Sequence, residues 1–202
     1  MARKLKVWLS IGLLERDGNR LFDTGLLFTQ QGEIGLKYRR ISLGWHGPKA
    51  DLTVYGHGTE IPLAKTPLGT ICLLICGDLF DDLIVEKVRH QKPDWLLVPF
   101  ARDFKDGSLN QEKWDREEMP EYMKRAKKVE TTVLVTGYLG GEGLDDRSFG
   151  GAMVLSGKGQ VIASLPLGQE GILPVQLSLS EATNTRKKRY PTSGCKAGNL
   201  SG

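Results

Sequence analysis

An apolar run, Gly69-Thr70-Ile71-Cys72-Leu73-Leu74-Ile75, ends abruptly in Cys76-Gly77-Asp78. Its β-rich composition predicts a buried strand that delivers the Cys76 thiol to the exposed end of a sheet. A thiol held there, followed by a glycine whose N–H no side chain obstructs, supplies a nucleophile and an oxyanion donor, the minimum for covalent acyl chemistry. Helical spacing of Leu79, Leu83, Ile84 and Val88 predicts a helix starting just after Gly77. Its N-terminal dipole would favour a thiolate at Cys76. The same local pattern also fits a small core thiol, the commoner fate of a free cysteine. Cys72 lies mid-strand with no adjoining turn and reads as core.

The remaining chemistry-bearing residues have plainer readings. His46, His57 and His90 show no metal-type spacing, and none forms a triad pattern with Cys76. His46 and His57 lie in a glycine-rich loop and could be pocket residues, though surface loop residues are the commoner case, and His90 reads as the end of a helix, where a cation suits the dipole. Asp78 could orient the site, but as a helix N-cap it needs no catalytic explanation. The stripe Trp114, Met119, Tyr122, Met123 and Ala126 reads as core or interface, and Gly157-Lys158-Gly159 as a turn. With neither metal spacing nor a phosphate-binding fingerprint ahead of a suitable helix, no cofactor is expected.

The elements that must position Cys76 are mostly strands. Residues 7–14, 21–29 and 34–41 read as three strands, separated by the turns Asp17-Gly18-Asn19 and Gln31-Gly32, the second a hairpin. A loop over residues 44–58 follows, then a short strand over 60–64 and the strand of Cys76. Residues 79–90 (helix) and 93–99 (strand) complete a strand–helix–strand unit, which implies parallel pairing. A helix over 111–128 is interrupted at Pro120. A strand over 131–137, a loop over 140–148, a hairpin over 152–155 and 160–165, and a last strand over 171–179 follow. The sum is an α/β layered fold with mixed sheets.

Composition narrows the class. The chain has 202 residues, enough for one domain with a substantial core, and is 40% hydrophobic and 26% charged, as soluble globular proteins are. Its formal net charge of +4 comes largely from basic ends, which read as solvated tails, so nucleic acid is not an expected partner. The apolar run at residues 7–14 is too short to span a membrane, and Glu15-Arg16-Asp17 follows it without a cleavage site. Three cysteines without paired spacing fit a reducing, cytoplasmic setting.

The order of motifs resembles the nitrilase superfamily of carbon–nitrogen hydrolases. The resemblance is carried by Gly12-Leu13-Leu14-Glu15-Arg16-Asp17-Gly18-Asn19 with Leu21-Phe22-Asp23-Thr24. It continues through Gly32 to Leu43 with Lys37-Tyr38-Arg39-Arg40, through Gly69 to Asp78, and through Asp94 to Pro99. Arg125-Ala126 with Glu130, Phe149-Gly150-Gly151-Ala152 and Arg189-Tyr190-Pro191 resemble later landmarks. It implies an α-β-β-α sandwich with mixed sheets, incomplete at its N-terminus, with a domain over 1–190; residues 191–202 have the composition of a disordered tail.

The resemblance also implies an activity: hydrolysis of a small-molecule amide or nitrile through a cysteine thioester, with Glu, Lys and Cys as the family's triad. Cys76 matches the nucleophile and the Gly77 N–H part of the oxyanion site. Asp51, four residues before Tyr55, stands near the family's loop-borne second glutamate. Phe100 and Ala101 follow the strand bordering the pocket. The lysine position holds Arg40, which can hydrogen-bond an oxyanion but cannot donate a proton near neutral pH. Lys37, three steps back along the strand, falls on the opposite face. The general-base glutamate belongs upstream of the segment matching residues 5–14, and Glu15 matches a turn position instead. The alternative is therefore a non-catalytic homologue, or one part of a split enzyme acting by association. A shortened sheet would leave apolar surface, so a homo-oligomer is expected.

Overall fold

The computed structural model of the 202-residue chain describes residues 1–47, 49–140 and 147–178. Its first sheet is an antiparallel meander of β1 (Leu9–Asp17), β2 (Arg20–Phe28) and β3 (Ile34–Arg39), preceded by the single turn α1 (Ala2–Leu5). The turn between β1 and β2 is the pair Gly18-Asn19, with Gly18 at φ 59°, where a left-handed residue matches the strands' twist.

The second sheet holds β4 (Leu63–Thr66), β5 (Gly69–Leu73), β6 (Trp95–Phe100), β7 (Thr132–Gly137), β8 (Ala152–Leu155) and β9 (Val161–Leu165), in that spatial order. Strands β5, β6 and β7 are parallel to one another and the outer pairings are antiparallel. The parallel steps are bridged by α2 (Asp82–Gln91) and α4 (Met119–Val129), which pack against each other. Pro120 opens α4, where its missing N–H costs nothing. A wide π turn, Trp114–Glu118, joins α4 to the short α3 (Gln111–Lys113), so the helix expected over 111–128 comes in three pieces.

Alternation along β6 separates the layers. Phe100 faces the helices, stacks with Trp114 and lies tilted against Tyr122. Pro99 faces the three-stranded sheet, close enough that a Cβ on Gly12 would touch it. Gly25 likewise lies against Leu73 and Ile75. Two sheets therefore pack face to face over a core that includes Leu27, Leu36 and Leu73, and Leu96, Val98 and Phe100 pack toward the helices behind the larger sheet.

The expected sandwich with mixed sheets is present. Among the described residues the long helices cover only the six-stranded sheet. Four other expectations change. The residues after Cys76 form a 3₁₀ turn, Cys76–Phe80, and α2 begins only at Asp82. Asp81, not Asp78, caps it, accepting from Leu83 N at 2.9 Å and Ile84 N at 3.1 Å. Glu15 lies inside β1 rather than in a turn. Residues 171–178 join no sheet: Pro174 lacks a ladder donor and Ile172 is 89% exposed. Leu179, part of the loop at 140–148, and the tail at 191–202 lie outside the described residues. Among the described residues no helix is long and apolar enough to cross a membrane.

Candidate active site

The site forms where the parallel strands β5 and β6 end, the edge at which α/β sheets commonly bind ligands. Cys76 follows β5 and takes φ 44°, a left-handed backbone that a side-chain-bearing residue seldom adopts. The turn lifts the thiol out of the strand line, and Cys76 is only partly buried, whereas Cys72 is sealed in the core. Burial pushes the Cys72 thiol up to about 12, consistent with an inert core cysteine.

Burial also pushes the Cys76 thiol up, and three groups oppose it: the guanidinium of Arg40, that of Arg102, and the backbone N–H of Ala101. The helix dipole expected to help is too distant, because α2 starts six residues later and such fields fade within a turn. What favours a thiolate here is a pair of cations and one backbone donor.

Arg40 is buried, at 7% exposure. Its Nε donates to Ser42 Oγ at 3.0 Å and its Nη1 to Asp23 Oδ2 at 3.3 Å. Nη2 lies against Gly77, so closely that a Cβ there would overlap it, and Ser42 Oγ closes the same space at 3.3 Å. Glycine at 77 is thus required by the approach of Arg40 as well as useful for its bare N–H. Asp23 is pushed up by burial, opposed by Arg40.

Beneath these groups lies Asp78, with no solvent exposure. Its Oδ2 accepts from Tyr38 Oη at 2.7 Å and from Ile75 N at 3.0 Å, and its Oδ1 accepts from Ser42 N at 2.8 Å. The Tyr38 hydroxyl is held firmly protonated by burial and by the neighbouring carboxylate. The second wall comes from the end of β6. Arg102 pairs with Glu118, Nη1 to Oε2 at 2.8 Å, and borders the Phe80 ring. The Tyr122 hydroxyl is buried beside Arg102 without a well-formed hydrogen bond.

The loop over 44–58 closes the third side. Leu21 N donates to Val54 O and Gly56 N to Leu21 O, both at 2.7 Å, and Gly58 N donates to Arg40 O at 2.8 Å. This pulls Trp45, His46, Tyr55 and His57 into one aromatic cluster. The two imidazoles are joined Nε2 to Nε2 at 3.2 Å. His46 and His57 are therefore partly buried and packed together, not surface residues. Burial, then His46, then Arg40 depress His57.

Of the six residues singled out in the sequence, Cys76, Gly77, Arg40 and Ala101 meet at this edge. Phe100 belongs to the core, stacked 6.2 Å from Trp114. Asp51 is exposed, its Oδ1 closing a turn on Thr53 N at 2.8 Å and Thr53 Oγ1 at 2.7 Å. Its carboxylate is spent locally rather than at the thiol. Asp23, Ser42 and Arg102 carry no site reading from the sequence, and Tyr122 reads there only as core or interface. Arg102 was within reach, being next to Ala101, but the others are joined to Cys76 only by long-range packing. Lys37 lies on the opposite face, ion-paired to Glu15, as its spacing from Arg40 required. Among the described residues no group of three or more His, Cys, Asp or Glu is placed to hold a metal.

The sequence model of the carbon–nitrogen hydrolase family matches residues 1–187. The deaminated glutathione amidase of Yersinia enterocolitica is 27% identical over 178 residues, covering 82% of this chain and 59% of that protein. The chain thus spans about three fifths of that curated relative's length. A carbon–nitrogen hydrolase from Helicobacter pylori G27 superposes with a TM-score of 0.76 at 16% identity, covering 93% of this chain and 68% of the other. A mutant amidase from Nesterenkonia sp. AN1, described with acrylamide added at its active-site cysteine, superposes at 0.72 with 22% identity, covering 93% and 69%. At those identities the two structures speak for the fold.

Proposed function

The chain belongs to the carbon–nitrogen hydrolase family, and on that premise we propose that Cys76 is the nucleophile of an amide-cleaving site for small molecules. The single observation that carries this is the Cys76 turn: φ 44°, the Ala101 N–H at the thiol and the Arg40 guanidinium against Gly77. Sulfur adds to the carbonyl carbon, and the electron pair pushed onto oxygen is met by the Gly77 N–H and Arg40. Collapse expels the nitrogen as ammonia or an amine, which takes up a proton, and leaves a thioester. Water then adds to the thioester and returns the thiol and a carboxylic acid. A nitrile takes one step more: sulfur adds to the C≡N carbon to give a thioimidate, a first water adds to that carbon, and collapse then expels ammonia and leaves the same thioester for a second water. The names of the Yersinia and Nesterenkonia relatives favour amides.

A second reading rests on one specific feature. Arginine stands where the family resemblance puts lysine, and its other nitrogens are tied to Asp23 and Ser42. Arginine cannot exchange a proton near neutral pH, so it can favour acylation without helping water attack the thioester. Cys76 would then be acylated and not released. One experiment separates the two: ammonia release from a panel of amides and nitriles, with mass spectrometry of Cys76 after substrate and after iodoacetamide. Ammonia that disappears in Cys76→Ala supports hydrolysis. A substrate-derived acyl adduct on Cys76 with no more than one equivalent of ammonia released supports the trapped acyl-enzyme. Neither ammonia nor labelling sinks both.

A further inference from the structure

We propose that Asp78 is a positioning residue, whose buried carboxylate holds the Cys76 turn and the Arg40-bearing segment in one fixed register. The proposal rests on Cys76 being the nucleophile. Three donors from separate parts of the chain converge on Asp78. Ile75 N comes from the residue before Cys76, at 3.0 Å. Tyr38 Oη comes from β3, at 2.7 Å. Ser42 N comes from the segment just past Arg40, at 2.8 Å. Ser42 then uses its own side chain: Oγ accepts from Arg40 Nε at 3.0 Å.

The connections form one relay. Asp78 Oδ2 fixes the backbone that leads into the nucleophile, and Oδ1 fixes the residue on which the guanidinium leans. Both oxygens belong to one rigid, planar group with no solvent exposure, so neither end can drift without breaking a buried hydrogen bond. Arg40 Nη2 is thereby kept against Gly77, in a space too small for a Cβ. The N-cap role is filled by Asp81, which leaves Asp78 free for this one. An amide at 78 retains only one acceptor oxygen and turns an NH₂ toward donors, so at least one contact becomes a donor–donor clash.

The test compares wild type, Asp78→Asn and Ser42→Ala by the pH dependence of iodoacetamide alkylation at Cys76, with circular dichroism to confirm folding. Ser42→Ala keeps the backbone donor to Asp78 and removes only the rest for Arg40 Nε, so it reports even if Asp78→Asn does not fold. The expected result is an upward move of the alkylation midpoint by roughly one pH unit in Asp78→Asn, and a smaller move in Ser42→Ala. Where wild type turns over, kcat should fall roughly 10- to 100-fold in Asp78→Asn with little change in KM. Folded variants with an unmoved midpoint overturn the proposal, whether or not their melting temperature falls; so does a folded Ser42→Ala with an unmoved midpoint beside an unfolded Asp78→Asn. A wild type without turnover but with these midpoint shifts sinks the hydrolase reading and leaves the positioning role standing.

Discussion

Glu15 and Asp78 gather partners from opposite faces of the same three-stranded sheet, and the contrast between them shows what each face is for. On the outer face Glu15 meets Lys37, Arg39 and Thr24, and Arg39 also reaches Asp17. The Arg39 guanidinium lies 3.7 Å from the centroid of the Phe22 ring. On the inner face Asp78 meets a phenol and two backbone N–H groups, with no cation in direct contact among its hydrogen bonds. The outer group is an ion-pair network that water can partly replace. The inner group is a set of neutral dipoles around a carboxylate that water does not reach. Alternation along Lys37-Tyr38-Arg39-Arg40 sends successive side chains to the two groups in turn.

The largest expected effect is on the inner side. Asp78→Ala would orphan the Tyr38 hydroxyl and the N–H groups of Ile75 and Ser42 in the core. At about 1–3 kcal/mol for each buried unsatisfied group, partly relieved by relaxation, the loss should be about 4 kcal/mol. Urea unfolding measures it. A loss no greater than that of Glu15→Ala would erase the distinction between the faces. Tyr38→Phe sharpens it: the ring still fills its place in the core and one hydrogen bond to Asp78 goes, for about 1–2 kcal/mol.

Glu15→Gln should cost less, about 1 kcal/mol, because ion pairs near solvent contribute little. Its signature is in pH and salt. Hydrogen bonding to Arg39 holds the Glu15 carboxyl down at about 2, against an ordinary 4.5. The folded pKa is depressed, so the stabilisation is fully present above pH 4.5 and is lost as pH falls toward 2. Wild type should lose stability across that window more steeply than Glu15→Gln, and the gap should shrink in high salt. Parallel acid-unfolding curves, or a gap untouched by salt, would place Glu15 in the same category as Asp78.

The same contrast explains what could be read from the sequence. The strand leading to Cys76 was legible because an apolar, β-rich run ended by Gly-Asp marks a buried strand and its exit, and the opposition of Lys37 and Arg40 followed from strand period alone. The family resemblance supplied the sandwich. What escaped were the places where a side chain serves a distant partner. Asp78 looked like a cap because a carboxylate before a helix usually is one; its three donors come from up to 40 residues away in the chain. Once it is committed there, capping passes to Asp81 and the intervening residues wind as a 3₁₀ turn. Tyr122 looked like core, and is, but its hydroxyl end reaches Arg102 beside the thiol. Residues 171–178 looked like a strand because their apolar content gave no sign that Pro174, which lacks an N–H, would keep them out of a sheet.

His57 borders both groups and gives the smallest of the expected effects. It lines a recess of about 490 Å³ with Asp17, Lys37 and Arg39 on the outer side. On the inner side it feels Arg40, which disfavours its charged form, and more weakly Asp78, which favours it. Burial is the main cause of its depressed pKa, and His46, 3.2 Å away, is the second. Because the folded ring resists a proton that the unfolded chain accepts, the unfolded state binds more protons as pH drops below 6.5. Stability should therefore fall as pH is lowered through that value, and His57→Asn should flatten the slope. Charging the ring would also push on Arg40, so in the same variant the log rate of Cys76 alkylation should follow the thiol's own titration, without the bend that His57 adds between roughly pH 5 and 7. A flattened stability slope with an unchanged alkylation profile would assign His57 to the outer group alone; changes in both would join it to the inner one.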